Sequence, residues 1–227
     1  MSNPYHRHEQ KYICSSAQIK HLFEALSAIL PTDKHQNGLY HIKSLYFDTK
    51  DDRFLQESLD GVTERSKYRL RRYDKENIKF ECKSSFFQLK RKRFVWLPQK
   101  EAEIMAHNRD TKTFFDIPLI NEFYCLKKNE LIQPKIIIDY DRAAFVHEGL
   151  NVRITLDQKI ISSADVNSFM DDNISGKKIL PNDAGILEVK FDDILPTYIV
   201  QILGLEDLEQ TTFSKYVMGC LAQRKMY

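Results

Sequence analysis

Apolar and charged residues alternate with period two in one stretch of this chain after another. In Glu9–Ile13, Glu9 and Lys11 share one face. In Arg65–Tyr73 the odd positions are Arg65, Lys67, Arg69, Arg71 and Tyr73, opposed by Tyr68 and Leu70. Ile78–Lys83 sets Lys79, Glu81 and Lys83 against Ile78, Phe80 and Cys82. Asn151–Asp157 sets Arg153, Thr155 and Asp157 against Val152, Ile154 and Leu156. Ile186–Asp192 sets Glu188, Lys190 and Asp192 against Leu187, Val189 and Phe191. Side chains alternate across a strand, so each stretch predicts a strand with one charged and one apolar face. Further strands are expected over His41–Asp48, Lys90–Leu97 and Lys135–Arg142.

Helices are predicted between them. Ser15 or Ser16 is placed to cap a helix carrying Ile19, Leu22, Phe23, Leu26, Ile29 and Leu30, ended by Pro31. A second runs from Thr49 or Asp51 to about Leu59. A third helical region covers Lys100–Lys128 with a break near Pro118. The tail from Asp207 to about Gln223 carries Phe213, Val217 and Leu221 at four-residue spacing.

These amphipathic helices must bury their apolar stripes, and the apolar strand faces are the available surface. Helices covering the outside of a closed sheet would leave the charged faces inside, and closure would remove exposed edges. The prediction is therefore an α+β fold: a closed, eight-stranded antiparallel β-barrel wrapped by helices. Its interior would hold an excess of cations that cannot be buried dry. Such a barrel must be a water-filled tunnel that expects a polyanion. No linker, low-complexity tract or internal repeat interrupts the pattern, which predicts one domain over residues 1–227.

Composition narrows the chemistry. With 34 basic and 32 acidic residues the 227-residue chain has a formal net charge of +2, so any anion site must come from segregation of charge in space. None of the 7 glycines falls in a Gly-rich phosphate cradle. Cys14, Cys82, Cys125 and Cys220 form no C-x-x-C motif; three of them sit inside apolar patterns, where buried, reduced thiols are expected. The seven histidines show no H-x-x-x-H pairing and read as surface or structural groups. Trp96 reads as core or helix–sheet packing, with an adenine site at the tunnel mouth left open. The first residues hold no apolar stretch of the secretory type, and the run Ile194–Leu205 is too short to cross a bilayer. A cytoplasmic location is expected.

In order along the chain, the segments RHEQKY, SLYFDT, LDG, KYRLRRY, FECK, YDR, VRITLD, ILEVKF and FSKYVMG carry a family resemblance. Together they resemble the catalytic domain of the vacuolar transporter chaperone (VTC) polyphosphate polymerases, in the triphosphate tunnel metalloenzyme, or CYTH-like, superfamily. The resemblance spans Arg7 to about Gly219. It implies a tunnel of eight antiparallel strands and ATP-dependent synthesis of inorganic polyphosphate with Mn²⁺ or Mg²⁺. It implies catalytic roles for Lys11, Arg69, Arg71, Lys83, Arg142, Arg153 and Lys215. Ser214 corresponds to the serine beside that last lysine, on a C-terminal helix leaning over the tunnel mouth. Arg65, Lys67, Lys79 and Lys190 would add phosphate contacts. Glu188 would bind the metal, with Glu9 or Glu81 assisting. For Arg142, period two with Ile136, Ile138 and Tyr140 points to the apolar face unless it lies past the strand end. The implied partners are ATP, polyphosphate or tripolyphosphate, and a separate membrane protein that would bring the domain to the cytoplasmic face of a membrane. DNA is not expected.

The sequence departs from the family pattern at its start, where Arg7 stands in place of the first glutamate of E-x-E-x-K. Ser58 and Thr212 also stand where relatives carry basic residues. Losing a carboxylate and gaining a cation disfavours a hydrolase, which must activate water. A polymerase uses a phosphate oxygen that is already ionised near neutral pH. Polymerase is therefore favoured over triphosphatase, with a non-catalytic polyphosphate-binding module as a further alternative.

Overall fold

The structure is a computed structural model that describes residues 7–33, 39–87, 89–110 and 116–224. Among the described residues there are ten strands: β1 (His8–Cys14), β2 (Leu39–Asp48), β3 (Arg65–Arg72), β4 (Ile78–Phe86), β5 (Leu89–Leu97), β6 (Gln133–His147), β7 (Val152–Ser163), β8 (Lys177–Lys178), β9 (Gly185–Phe191) and β10 (Glu209–Gln210). Among the same residues six α-helices join them: α1 (Ser16–Ile29), α2 (Arg53–Leu59), α3 (Gln99–Ala106), α4 (Pro118–Glu130), α5 (Thr197–Leu203) and α6 (Lys215–Arg224).

The strands hydrogen-bond in the order β10-β1-β9-β7-β6-β2-β3-β4-β5, with β8 attached to β7. All eight expected strands occur, and β1–β9, β2–β3, β3–β4, β4–β5 and β7–β9 are antiparallel. Closure is corrected: among the described residues the sheet has two ends, β10 and β5, and is not a closed eight-stranded barrel. Its edges are managed by other means. β10 is only two residues long, and β5 carries Lys90, Arg91, Lys92 and Arg93 in succession, which discourages further pairing.

The chain divides into two compact units. One is drawn from Met1–His41, Tyr140–Ile160 and Leu180–Phe213; the other from Ile42–Asp139, Ile161–Ile179 and Ser214–Tyr227. Each has its own apolar core. In the first, the inward residues of β1, β7 and β9 (Tyr12, Cys14, Val152, Ile154, Leu156, Leu187, Val189, Phe191) pack with Ile19, Leu22 and Leu26 of α1 and Ile199 and Leu203 of α5. In the second, Leu45, Phe47, Tyr68, Leu70, Ile78, Phe80 and Cys82 pack with Phe54 of α2, Met105 of α3 and Leu119, Ile120 and Phe123 of α4. Helices thus cover the apolar strand faces, as the periodicity demanded.

Local signals explain the helix boundaries, with two corrections. Ser15 accepts from the Gln18 amide while the Gln18 side chain accepts from the Ser15 amide, a capping box that starts α1. At the start of α2 the expected Thr49 accepts the Arg53 amide at 3.0 Å, and the Asp48 carboxylate adds to it by accepting the amides of Thr49, Phe54 and Leu55 at 2.7, 2.8 and 3.0 Å. The expected C-terminal helix from Asp207 is shorter, because Glu209–Gln210 pairs with β1 (Tyr12↔Gln210) and α6 begins at Lys215. The run around Ile194–Leu205 contains an unexpected helix, α5, preceded by Pro196 and ended by Gly204 in the left-handed region (φ 53°), where glycine is favoured.

Candidate functional site

The charged strand faces form one cluster in each unit. In the second unit the cluster centres on Glu81, whose side chain is only 2% exposed. Glu81 lies directly across from Arg69 in the β3–β4 register. Its Oε2 is 2.6 Å from Arg69 Nε and 3.8 Å from Arg71 Nε, and its Oε1 is 2.6 Å from Lys92 Nζ. Burial alone would raise its pKa, but Arg69, Arg71 and Lys92 hold the carboxyl well below the usual range. Both oxygens of Glu81 are therefore committed to cations, which makes it an organiser of this basic face.

Arg69 is also held from the other side. Its Nη1 donates to the Tyr46 hydroxyl at 3.0 Å, and Tyr46 faces Arg69 in the β2–β3 register. Tyr46 stacks on Tyr216 of α6 at 5.1 Å, and the Tyr216 hydroxyl donates to Asp48. Lys67 Nζ lies 3.4 Å from Ser214 Oγ, just before α6, and 5.8 Å from the Tyr216 ring. Burial pushes the Tyr46 phenol up, yet Arg69, Arg71 and Lys215 together bring it below its ordinary value. Lys215 thus belongs to this electrostatic neighbourhood. Lys83 sits exposed on the same face, further along β4, and Arg65, half-buried at the start of β3, turns its guanidinium to the Val62 carbonyl.

In the first unit the charges alternate across strands. Lys11 opposes Glu188 and Glu9 opposes Lys190 between β1 and β9; Thr155 opposes Glu188 and Arg153 opposes Lys190 between β7 and β9. Lys11 Nζ is 3.1 Å from Glu9 and 3.2 Å from the Phe213 carbonyl. Glu188, 8% exposed, pairs with Lys190 along its own strand. Arg153 contacts Asp33 at 2.8 Å and the Tyr40 hydroxyl at 3.1 Å.

Arg142 corrects the period-two reading. It lies inside β6, not past its end, and grips Asp157 with two bonds, Nε–Oδ1 at 2.6 Å and Nη2–Oδ2 at 2.8 Å. Asp157 is fully buried and shares the charged face of β7 with Arg153 and Thr155. The apolar core of this unit instead takes Ala143 and Phe145 from β6. Burial opposes the Arg142 charge, but Asp157 raises its pKa well above the ordinary value. This fork-to-fork pair fixes Arg142 as a support for the strand face.

One more residue departs from expectation. Trp96 is not core: it is 48% exposed and Phe94 is 53% exposed, on the face of β5 that carries Lys92. Lys79 Nζ stands 4.1 Å from the Trp96 ring centre. Arg72, opposite the cluster, is buried, and donates to the carbonyls of Met170 and Asp171 and to Asp172. Sequence reasoning missed Tyr46, Lys92 and Thr155. The first two carried a signal, since Tyr46 alternates with the core residues Leu45 and Phe47, and Lys92 shares a face with Phe94 and Trp96, opposite Val95 and Leu97.

The resemblance implies a divalent cation, and the residues fit one of a particular kind. Among the described residues no three metal-ligating side chains cluster. Glu188 does have a hydroxyl directly across from it, Thr155 Oγ1, which is buried and makes no hydrogen bond. One carboxylate beside an orphaned hydroxyl suits a hard cation that keeps waters and takes its remaining oxygens from substrate phosphates. It does not suit a closed site built wholly from protein. Glu188 and Thr155 would hold such an ion, which would supply charge neutralisation at phosphate oxygens.

Comparison with known proteins found the following similarities, of which the first supports this fold. A candidate adenylate cyclase from Bacillus halodurans is similar at TM-score 0.57 and 16% identity, with 96% of each chain covered. The PH1819 protein of Pyrococcus horikoshii OT3 is similar at TM-score 0.49 and 12% identity, covering 96% of this chain and 100% of that one. The mimivirus capping enzyme triphosphatase is similar at TM-score 0.38 and 10% identity, with 87% of each covered. A search of curated proteins gave no match. No helix among the described residues is long and apolar enough to cross a membrane. The VTC domain model matches residues 6–223, and the chain belongs to the VTC domain family.

Proposed function

We propose that this protein is a polyphosphate polymerase that transfers the γ-phosphoryl group of ATP to a growing polyphosphate chain. Arg69 and Arg71 bind the phosphates, with Lys67, Lys79, Lys83 and Lys92 adding charge along the same strand face. Guanidinium groups suit phosphate oxygens through paired hydrogen bonds, and lysines act as point charges. Lys11, Arg153 and Lys190 supply the corresponding cations of the first unit. Glu188, with Thr155, holds Mn²⁺ or Mg²⁺. Phosphoryl transfer needs positioning and charge neutralisation more than covalent help.

The observation that carries the choice of transfer over hydrolysis is the pairing of the carboxylates. Glu9 pairs with Lys11, Glu81 with Arg69 and Lys92, Asp157 with Arg142, and Glu188 with Lys190. A carboxylate neutralised in this way is a poor base for water, whereas the terminal phosphate of an acceptor chain is already ionised. The test is to incubate the pure protein with ATP and Mn²⁺ or Mg²⁺ and separate the products on a gel. Long polymer is expected. Orthophosphate alone would replace this reading with a triphosphatase, and tight polyphosphate binding without turnover would replace it with a binding module.

A further inference from the structure

The strand face that carries Arg69 and Arg71 continues into an aromatic patch that no phosphate role explains. Tyr73, Phe94 and Trp96 surround Lys79, whose Nζ lies 5.4, 4.9 and 4.1 Å from their ring centres. Neither Phe94 nor Trp96 joins the core. The alternate residues of β5, Val95 and Leu97, pack there, and Arg93 turns to Glu122 on α4. Protection of the β5 edge accounts for its run of basic residues but not for two large rings half open to water.

The register places the patch beside the phosphate cations. Trp96 lies directly across from Lys79, and Lys79 directly across from Arg71. Two strand spacings, about 10 Å, separate Trp96 from Arg71. Arg71 also hydrogen-bonds the Tyr73 side chain, which ties the aromatic patch to the phosphate-facing guanidinium. A ligand with a negatively charged chain at one end and a flat ring at the other matches this layout. Flat rings stack on aromatic side chains, and a cation against the same rings strengthens the contact.

We propose that Phe94 and Trp96, backed by Lys79 and Tyr73, form a stacking platform for the base of a nucleoside triphosphate. The proposal rests on the reading of Arg69 and Arg71 as phosphate ligands. Stacking of this type is tolerant of base identity because every base has a π-face. The platform therefore selects nucleoside triphosphates over inorganic phosphate chains of equal length, with little preference between ATP and GTP.

Trp96 is the only tryptophan in the chain, so intrinsic fluorescence reports from this platform alone. The experiment titrates the full-length protein with ATP, GTP and tripolyphosphate, exciting at the red edge of the indole band where the bases do not absorb. Calorimetry measures the affinities in parallel. ATP and GTP are expected to quench Trp96 similarly, and tripolyphosphate to bind with little change in emission. Trp96→Leu and Phe94→Ala, checked for folding by circular dichroism, are each expected to weaken ATP by about tenfold while leaving tripolyphosphate affinity unchanged. ATP binding no tighter than tripolyphosphate and without quenching, in the wild-type protein, overturns the platform while leaving the phosphate site standing. Quenching by ATP with no tripolyphosphate binding supports the platform and removes the phosphate reading. Absence of binding by any of the three overturns both.

Discussion

Replacing Glu81 by Gln removes an anion that touches Arg69, Arg71 and Lys92 together. The new side chain has the same shape, so packing is kept and only charge is lost. Breaking a buried ion pair from one side costs about 3–5 kcal/mol, because the partner charge stays desolvated. Lys92 is 49% exposed and Arg69 21%, so both can turn partly to water, and the cost here belongs at the lower end, about 3 kcal/mol. For a chain of this size that is a fall in melting temperature of about 6–12 °C. A bound polyanion replaces the lost carboxylate. Tripolyphosphate at a hundredfold excess over its Kd stabilises the wild-type protein by about 2.7 kcal/mol by linkage. At the same ligand concentration it should raise the melting temperature of E81Q by more than it raises that of the wild type. The assay is thermal unfolding of both proteins with and without tripolyphosphate at fixed ionic strength. A variant as stable as wild type, or a ligand-induced rise no larger than that of wild type, would refute the view of Glu81 as an internal stand-in for phosphate.

Four shorter predictions accompany it. Arg69→Ala should lower kcat/KM by about 3 kcal/mol, roughly a hundredfold, in ATP turnover assays; Arg72→Ala should instead lower the melting temperature, because its guanidinium holds the Met170 and Asp171 carbonyls, while kcat of the folded protein stays near wild type. Glu188→Gln should abolish the metal-stimulated part of turnover, with the circular dichroism spectrum unchanged. Glu81 has a folded-state pKa below its unfolded value of 4.5, so its contribution is present above that value and is lost as pH falls through and below it; acid unfolding curves should show this loss in the wild type and not in E81Q. Thiol titration of the native protein should count one fast group, Cys125, because Cys14, Cys82 and Cys220 are buried and burial pushes Cys14 and Cys220 up to about 11.

Strands with one charged and one apolar face were legible residue by residue. Lys11, Arg69, Glu81 and Glu188 fall on the faces that their spacing assigned. β2 and β6 were legible only as strands, because both of their sides are buried: Tyr46 and Asp48 look like neighbours of Leu45 and Phe47 until the core is seen, and Arg142 looks apolar until Asp157 is placed beside it. Closure was not legible, since period two fixes which face a residue takes but carries nothing about whether the outermost strands meet. The two-residue strands β8 and β10 are set by tertiary pairing and leave no pattern of their own. The exposure of Trp96 was missed for a chemical reason. A tryptophan is usually counted as core, yet in β5 it alternates with Val95 and Leu97, which take the apolar side.

The strand order also governs how this chain is made. β1 pairs residue for residue with β9, from His8↔Phe191 to Cys14↔Gly185, and then with β10. A ribosome adding about 5–20 residues per second needs roughly 10–35 s to go from one strand of the first pair to the other. Throughout that interval the apolar side of β1, with Tyr12 and Cys14, has no sheet partner. Tyr216 reaches Asp48 later still. The first core cannot close until β9 and α5 have been made, so it forms with the slow kinetics of distant pairings. Holdase chaperones have their binding window in this delay, and expression at low temperature or with such chaperones should raise the soluble yield.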